Sequence, residues 1–254
     1  MNASTLTKAD ISDFRELARS SALRKECQLV VVEGFRAIDG AKRSGASVHT
    51  IFTTDEQDSR FDAYRNNAEI KFVTEKAIGR ISTTPSPQNA IALCSMPIFS
   101  DQEFITSAQN KPIFVLDHVA DPGNMGTIFR SAVAFGIGGV ITLGGCDPFH
   151  PKVVRSSAGS LFGCPIYDAQ EFELDILLKD RTIYVADAKG EAHLEDIKES
   201  KSPAIIFGSE AEGIITDFFQ NNTVKFSIPM EELCESLNVA MTAAIVAHGI
   251  RHED

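Results

Sequence analysis

The 254 residues predict an α/β protein built on a mostly parallel sheet. Short apolar, β-branched runs alternate with helical patterns, the arrangement that covers both faces of a sheet with crossover helices. In the second half these runs break into glycine or proline turns with polar groups at the mouth of a helix. Ligands bind there in such folds, outside the carboxyl ends of the strands. With 43% hydrophobic and 23% charged residues, the chain can bury one large core or two small ones.

The N-terminal elements follow in order. Residues 8–26 have a helical pattern, Gln28–Val32 is a β-branched run, and Glu33-Gly34 turns into a helix that reaches about Arg43. Val48–Thr53 reads as a strand, Asp55–Asn66 as a helix and Ile70–Val73 as a strand. Thr74-Glu75 caps a short helix to Ile81, and Asn89–Ser95 is the last strand of a compact α/β unit. Pro97 and Pro112 bracket a polar stretch with one helical turn at most, so 99–110 reads as a linker between domains at 1–98 and 111–254.

From Ile113 the pattern restarts. Strands are expected at Ile113–Asp117, Gly139–Leu143, Thr182–Ala186, Ala204–Phe207 and Thr223–Ser227. Helices are expected at about Pro122–Phe135, Lys152–Ser157 and Leu237–Ile250, and a strand-and-helix pair at Pro165–Lys179.

Composition bounds the partners. No run approaches the roughly 18 apolar residues of a membrane span, and the first residues lack the basic and apolar regions of a secretory signal. Five scattered cysteines without a C-x-x-C pair suit free thiols in a reducing cytoplasm. The net charge of −11 argues at first against nucleic acid. Its distribution is uneven, however: residues 1–110 carry 13 basic against 14 acidic side chains, and residues 111–254 carry 11 against 21. Arg15, Arg19, Arg24, Lys25, Arg36, Lys42 and Arg43 cluster in the balanced half, which suits either an RNA surface or a solvated helix face.

Three blocks concentrate the chemistry. In Asn124-Met-Gly126-Thr-Ile-Phe-Arg130, proline and glycine open a helix that carries an amide and a fixed cation, with Gly126 and Arg130 expected on one face. In Phe207-Gly208-Ser209-Glu210-Ala211-Glu212-Gly213, a buried strand breaks into a glycine-bounded loop holding two carboxylates. In the third, Ile228-Pro229-Met230 precedes Ser236-Leu237-Asn238, where Ser236 is the expected N-cap of the last helix. Leu143-Gly144-Gly145 is a further glycine turn. Taken alone, the first block equally suits an ordinary capped surface helix, whereas a plain turn would not favour the two carboxylates of the second and a plain cap does not explain the Ile-Pro-Met run of the third. A dinucleotide-binding oxidoreductase is disfavoured, because no G-x-G-x-x-G follows a first strand. His248 and His252 lie i, i+4 at a terminus without a third ligand, so no metal is expected. Cys234 has no histidine beside it in sequence and reads as an inert thiol.

In order and spacing the blocks resemble the SpoU (TrmH-like) branch of the SPOUT RNA methyltransferases. Asp121–Arg130 with Ala134-Phe135-Gly136 matches the first motif, Ser156–Phe162 the intermediate segment, and the other two blocks motifs two and three. Val32–Arg36 and Ser86-Pro87-Gln88 resemble the small, ribosomal-protein-like domain that often precedes it. The resemblance implies a trefoil-knotted C-terminal sheet, an obligate homodimer, and methyl transfer from S-adenosylmethionine to a ribose 2′-hydroxyl. Its functional positions map to Asn124, Arg130, Glu210, Ser236 and Asn238. It places the cofactor against Leu143, Gly144, Gly208, Ile228, Met230 and Leu237. RNA is expected at Arg15, Arg19, Arg24, Lys25, Arg36 and Arg155, with ribosomal RNA preferred to transfer RNA. A non-catalytic RNA-binding module is the alternative, disfavoured by the presence of the motif residues. One departure is Ala240, where the family often has a second serine.

Overall fold

The computed structural model describes residues 6–55, 57–209, 211–216, 223–231 and 233–251, and of Asp175 the backbone alone. The chain divides into two compact units, residues 1–97 with 147–163, and residues 98–146 with 164–254.

In the first unit, α1 (Lys8–Arg19) and α2 (Ser21–Cys27) replace the single expected helix over 8–26. Ser20 makes the break. It leaves helical geometry, and its hydroxyl accepts the N–H of Leu23 to cap α2. Thr7 and Asp10 close a capping box at the start of α1, whose Ile11, Phe14 and Leu17 form the buried stripe. The sheet has the order β1-β4-β2-β3, from β1 (Leu29–Glu33), β2 (Val48–Thr53), β3 (Glu69–Phe72) and β4 (Ala90–Ser95). β4 runs antiparallel to both neighbours, and β2 pairs with β3 in parallel. α3 (Phe35–Arg43) and α4 (Glu75–Ile81) complete the unit's first segment. The helix expected over 55–66 is a 3-10 turn at Ser59–Tyr64, started by Asp58, with Phe61 and Tyr64 one such turn apart and buried.

The second segment of this unit, 147–163, contains α7 (Pro151–Ser156) and a 3-10 turn at Ser160–Gly163. Between them Gly159 has φ +80°, and a Cβ there would strike the α3 backbone at Ala37 and Ala41. Gly40 on α3 faces Ala158 and Gly159 in the same way. The Ser156–Phe162 segment is therefore a backbone-to-backbone packing joint that only glycine permits.

In the second unit six strands, all paired in parallel, run in the order β10-β8-β9-β5-β6-β7. They are β5 (Ile113–Asp117), β6 (Gly139–Leu143), β7 (Ile166–Asp168), β8 (Ile183–Ala186), β9 (Ala204–Phe207) and β10 (Thr223–Phe226). β5, β6 and β9 are buried throughout, as a sheet covered on both faces requires. The helices are α5 (Asp101–Ala108), α6 (Pro122–Ala134), α8 (Leu174–Leu177), α9 (Leu194–Glu199) and α10 (Val239–Gly249). The stretch read as a linker thus holds an eight-residue helix, α5, started by a Ser100–Glu103 capping box. Its Phe104 and Ala108 enter the core with Ile113, Val115, Ile141 and Ile206. Two buried side chains four residues apart, hidden among polar neighbours, turned that segment into structure.

Candidate functional site

The carboxyl ends of β8, β9 and β10 and the start of α10 enclose a cavity of about 410 Å3. Its lining includes Gly208, Ile228, Met230, Ser236, Leu237 and Asn238 from the sequence-derived set. Gly208 and Gly213 meet so closely that a Cβ on Gly208 would strike the Gly213 backbone. Ser209 and Gly213 bond to each other in both directions, at 2.8 and 3.0 Å, which folds the motif-two loop into a tight rim. Glu210 lies outside the described residues.

Asn238, not Ser236, caps α10. Its Oδ1 accepts the N–H groups of Ala240 and Met241 at 2.9 and 3.3 Å. The helix begins at Val239, so Ser236 sits three residues outside it and exposed. The amide nitrogen of Asn238 donates to Asn124 Oδ1 at 3.0 Å. One side chain thus ends the helix and joins motifs one and three across 114 residues. On α6, Met125, Gly126, Ile128, Phe129 and Ala132 are buried. Gly126 and Arg130, four residues apart on this helix, lie on one face as expected; Gly126 is buried, Asn124 is half-buried, and Thr127 and Arg130 are exposed. Arg130 is exposed and has no hydrogen-bond or ion-pair partner among the described residues.

The structure does not bring Leu143 and Gly144 into this lining. Leu143 is 2% exposed in the core, and Gly144 lies against the His118 ring. Missed in the sequence were Asp187, Ser209, Ile214 and Thr242, all in the lining. Asp187 accepts from Lys225 Nζ at 2.8 Å and the Lys189 N–H at 2.9 Å, and these bonds hold its carboxyl below the usual range. An acidic residue directly after the β8 run was the signal available for it.

Behind the rim, Asp117 at the end of β5 is completely buried. It accepts from Ile215 N (2.6 Å), Thr216 N (3.1 Å), Thr216 Oγ1 (2.8 Å) and the His118 ring (2.7 Å). Burial alone would raise its pKa, but these bonds outweigh burial and hold it below the carboxylate norm. The carboxylate therefore ties the far end of the motif-two loop to the central strand.

The first unit holds a second concavity, of about 640 Å3. Arg15 and Arg19 of α1, Ser82–Pro85, and His150, Lys152 and Arg155 of the 147–163 segment line it. Arg155 donates to Thr83 Oγ1 at 3.5 Å. Burial, followed by the charge of Arg24, lowers the His150 pKa. Lys25 and Arg36 are exposed on α2 and α3, outside this lining.

Arg24 corrects an expectation. It is 2% exposed, donates to the Leu17 and Ala18 carbonyls at 2.7 and 3.0 Å, and is ion-paired with Asp147. Its charge is spent on the unsatisfied carbonyls at the end of α1 and on the turn into α7, not on solvent.

No group of three or more His, Cys, Asp or Glu among the described residues is arranged to hold a metal. His248 packs edge-on against Phe135 at 5.4 Å, and His252 lies outside the described residues. Cys234 is exposed, and its thiol lies 3.4 Å from the Ser236 carbonyl.

The SpoU rRNA Methylase family matches residues 111–248, and an MRM3-like substrate binding domain matches residues 8–92. A Bacillus subtilis protein, 23S rRNA (guanosine(2553)-2′-O)-methyltransferase RlmP, is 28% identical over 95% of each chain. The zebrafish rRNA methyltransferase 3A, mitochondrial, is 30% identical, over 91% of this chain and 65% of that protein. Among solved structures, an AdoMet-bound rRNA methyltransferase from Sinorhizobium meliloti superposes with TM-score 0.82 at 25% identity, covering 98% of this chain and 96% of that one. A putative RNA methyltransferase of the TrmH family from Porphyromonas gingivalis gives 0.77 at 27% identity, covering 98% and 99%.

Proposed function

The chain belongs to the SpoU rRNA methylase family, and from that membership we propose how its residues divide the work of RNA 2′-O-methylation. It is an S-adenosylmethionine-dependent methyltransferase that acts on a ribose 2′-hydroxyl of RNA, with ribosomal RNA the target class of its full-length relative. The observation that carries the division of labour is the Asn238–Asn124 hydrogen bond, which holds motifs one and three together at the rim of the cavity.

The cavity residues fit the cofactor. Ile228, Met230 and Leu237 offer apolar walls for an adenine, and the Gly208–Gly213 loop offers backbone groups at close range. Asp187 offers a carboxylate to hydroxyl groups. Bound there, S-adenosylmethionine supplies a methyl group already activated on a sulfonium.

The remaining chemistry is deprotonation and alignment of a poor nucleophile. Arg130 clamps the RNA phosphate beside the target ribose through its planar fork, since a guanidinium is too basic to serve readily as a proton acceptor. Asn124, fixed by Asn238, orients the hydroxyl, and Ser236 and Glu210 complete the set. Ala240, at the position where the family often has a serine, is 3% exposed in the first turn of α10.

The functional unit is a homodimer. Val133 on α6 and Met241 and Ile245 on α10 are 39, 59 and 39% exposed, an apolar strip on two helices that pack together. Residues 1–97 with 147–163 form the RNA-holding unit. The five free thiols suit work in the cytoplasm beside its RNA.

The test is calorimetric titration with S-adenosylmethionine, together with mapping of 2′-O-methyl nucleosides in RNA from a strain lacking the gene. Binding plus one missing ribosomal methyl group is the expected result. A missing methyl group in transfer RNA would reassign the target, and no cofactor binding would leave an RNA-binding module.

A further inference from the structure

The chain carries a net charge of −11, yet the 640 Å3 cleft is lined by Arg15, Arg19, Lys152 and Arg155 with no carboxylate among its lining residues. A concave wall of one sign concentrates the field and attracts counter-charge. Resting on the RNA reading above, we propose that this cleft, formed by α1, the Ser82–Pro85 loop and α7, seats a run of consecutive phosphates of the RNA backbone.

The supports of these cations are rigid, as a preorganised anion site requires. The floor loop is fixed from below by Glu33, which is 3% exposed. Its carboxylate accepts Ser82 Oγ at 2.7 Å, the Thr83 N–H at 2.8 Å and Thr83 Oγ1 at 2.7 Å. Two opposed devices seat α7. The Arg24–Asp147 ion pair holds its leading turn, and the Gly40–Gly159 backbone contact holds its trailing turn. Arg24 therefore serves the cleft without entering it, because a buried cation positions the segment that carries Lys152 and Arg155.

The shape selects a polyanion over a small anion. Arg15 and Arg19 also line a second hollow along α1, which adds Lys8 and Arg80 and a single carboxylate, Glu16. The basic surface is thus a track rather than a convergent nest. It also draws on both parts of the sequence: Arg15 and Arg19 lie within the 8–92 match, Lys152 and Arg155 within the 111–248 match. Neither match assigns the cleft.

Phosphate contacts carry no sequence information, so a fluorescent single-stranded homopolymer RNA is a sufficient probe for the full-length protein. Each contact to single-stranded RNA contributes about 0.7 to the slope of log affinity against log salt, or about fivefold in affinity between 1 M and 0.1 M salt. Lys152→Gln with Arg155→Gln is expected to weaken binding about 25-fold at 0.1 M salt, lower the slope by about 1.4, and match the parent protein near 1 M. Arg19→Gln alone is expected to lower the slope by about 0.7, and Arg155→Lys to keep it. Lys76→Ala and Lys198→Ala, exposed outside the cleft, serve as comparators with unchanged affinity. In methylation of unmodified ribosomal RNA, the double variant is expected to raise KM for RNA with kcat and cofactor affinity unchanged. Parental affinity and slope in the double variant, with methylation intact, would overturn the cleft alone. Failure of the parent protein to bind S-adenosylmethionine would overturn the enzymatic reading instead.

Discussion

Asp117→Asn is the substitution in which stability and cofactor binding are expected to fail together. The carboxylate accepts four hydrogen bonds of 2.6–3.1 Å and is fully buried. An asparagine has a single acceptor oxygen, and its NH2 group would face a donor N–H of Ile215, Thr216 or His118. Two charge-assisted bonds are lost, each contributing about 1.5–3 kcal/mol, so a loss of about 3–6 kcal/mol is expected. At this chain length that is a fall in Tm of roughly 10 °C. The released segment, Ile215-Thr216, follows directly on Gly213 and Ile214 of the cavity lining, so S-adenosylmethionine affinity should fall at least about tenfold, or about 1.4 kcal/mol. RNA affinity, which the proposed cleft assigns to the other unit, should not change.

The pH dependence has a defined sign. The folded-state pKa of Asp117 is depressed, so its stabilisation is complete above the unfolded value of about 3.9 and is lost as pH falls through the lower folded value. The stability gap between parent and variant should therefore be constant near neutrality and shrink on acidification below about pH 4. Thermal unfolding at several pH values and calorimetry with the cofactor measure both quantities. A variant with parental Tm and parental cofactor affinity would refute the staple.

Other expectations follow from single features. Arg130→Ala should leave cofactor affinity within about twofold while abolishing methyl transfer, and Arg130→Lys should fail too, because a point charge lacks the planar fork; single-turnover methylation decides, and full activity in the lysine variant would leave only a charge requirement. Met241→Glu with Ile245→Glu should give a monomer by light scattering if the α6–α10 strip is the dimer face. Gly159→Ala should destabilise by roughly 2–4 kcal/mol, combining a positive φ with a backbone collision, measured by urea unfolding. A fragment from Lys111 should melt below one from Ile98, since it lacks Phe104 and Ala108; both expose Val153, Val154, Leu161 and Phe162, which pack in the first unit, so both should bind an apolar dye.

Much of the fold was legible because it rests on local chemistry. The strands at 113–117, 139–143 and 204–207 are buried on both faces, and burial on both faces writes itself as a continuous apolar run. Gly208, Ile228, Met230 and Leu237 came from the family resemblance rather than from local pattern, and the fold gathers all four into the lining of one cavity. α5 was not readable, because only Phe104 and Ala108 mark its core face.

The tertiary structure decided what depends on partners far apart in sequence. Ser236 and Asn238 are both good caps by type. Asn238 takes the role because its amide also reaches Asn124, and only the folded chain brings them within 3.0 Å. Arg24 and Arg155 are the same residue type with opposite fates: one is buried against helix-end carbonyls and Asp147, the other lines an open cleft. Charge counted along a sequence cannot distinguish them, because a cation's role is set by which unsatisfied acceptors the fold places around it. The sequence by itself determined the chemistry and the order of its motifs, and three-dimensional contact determined which side chains of each motif serve the site and which serve the scaffold.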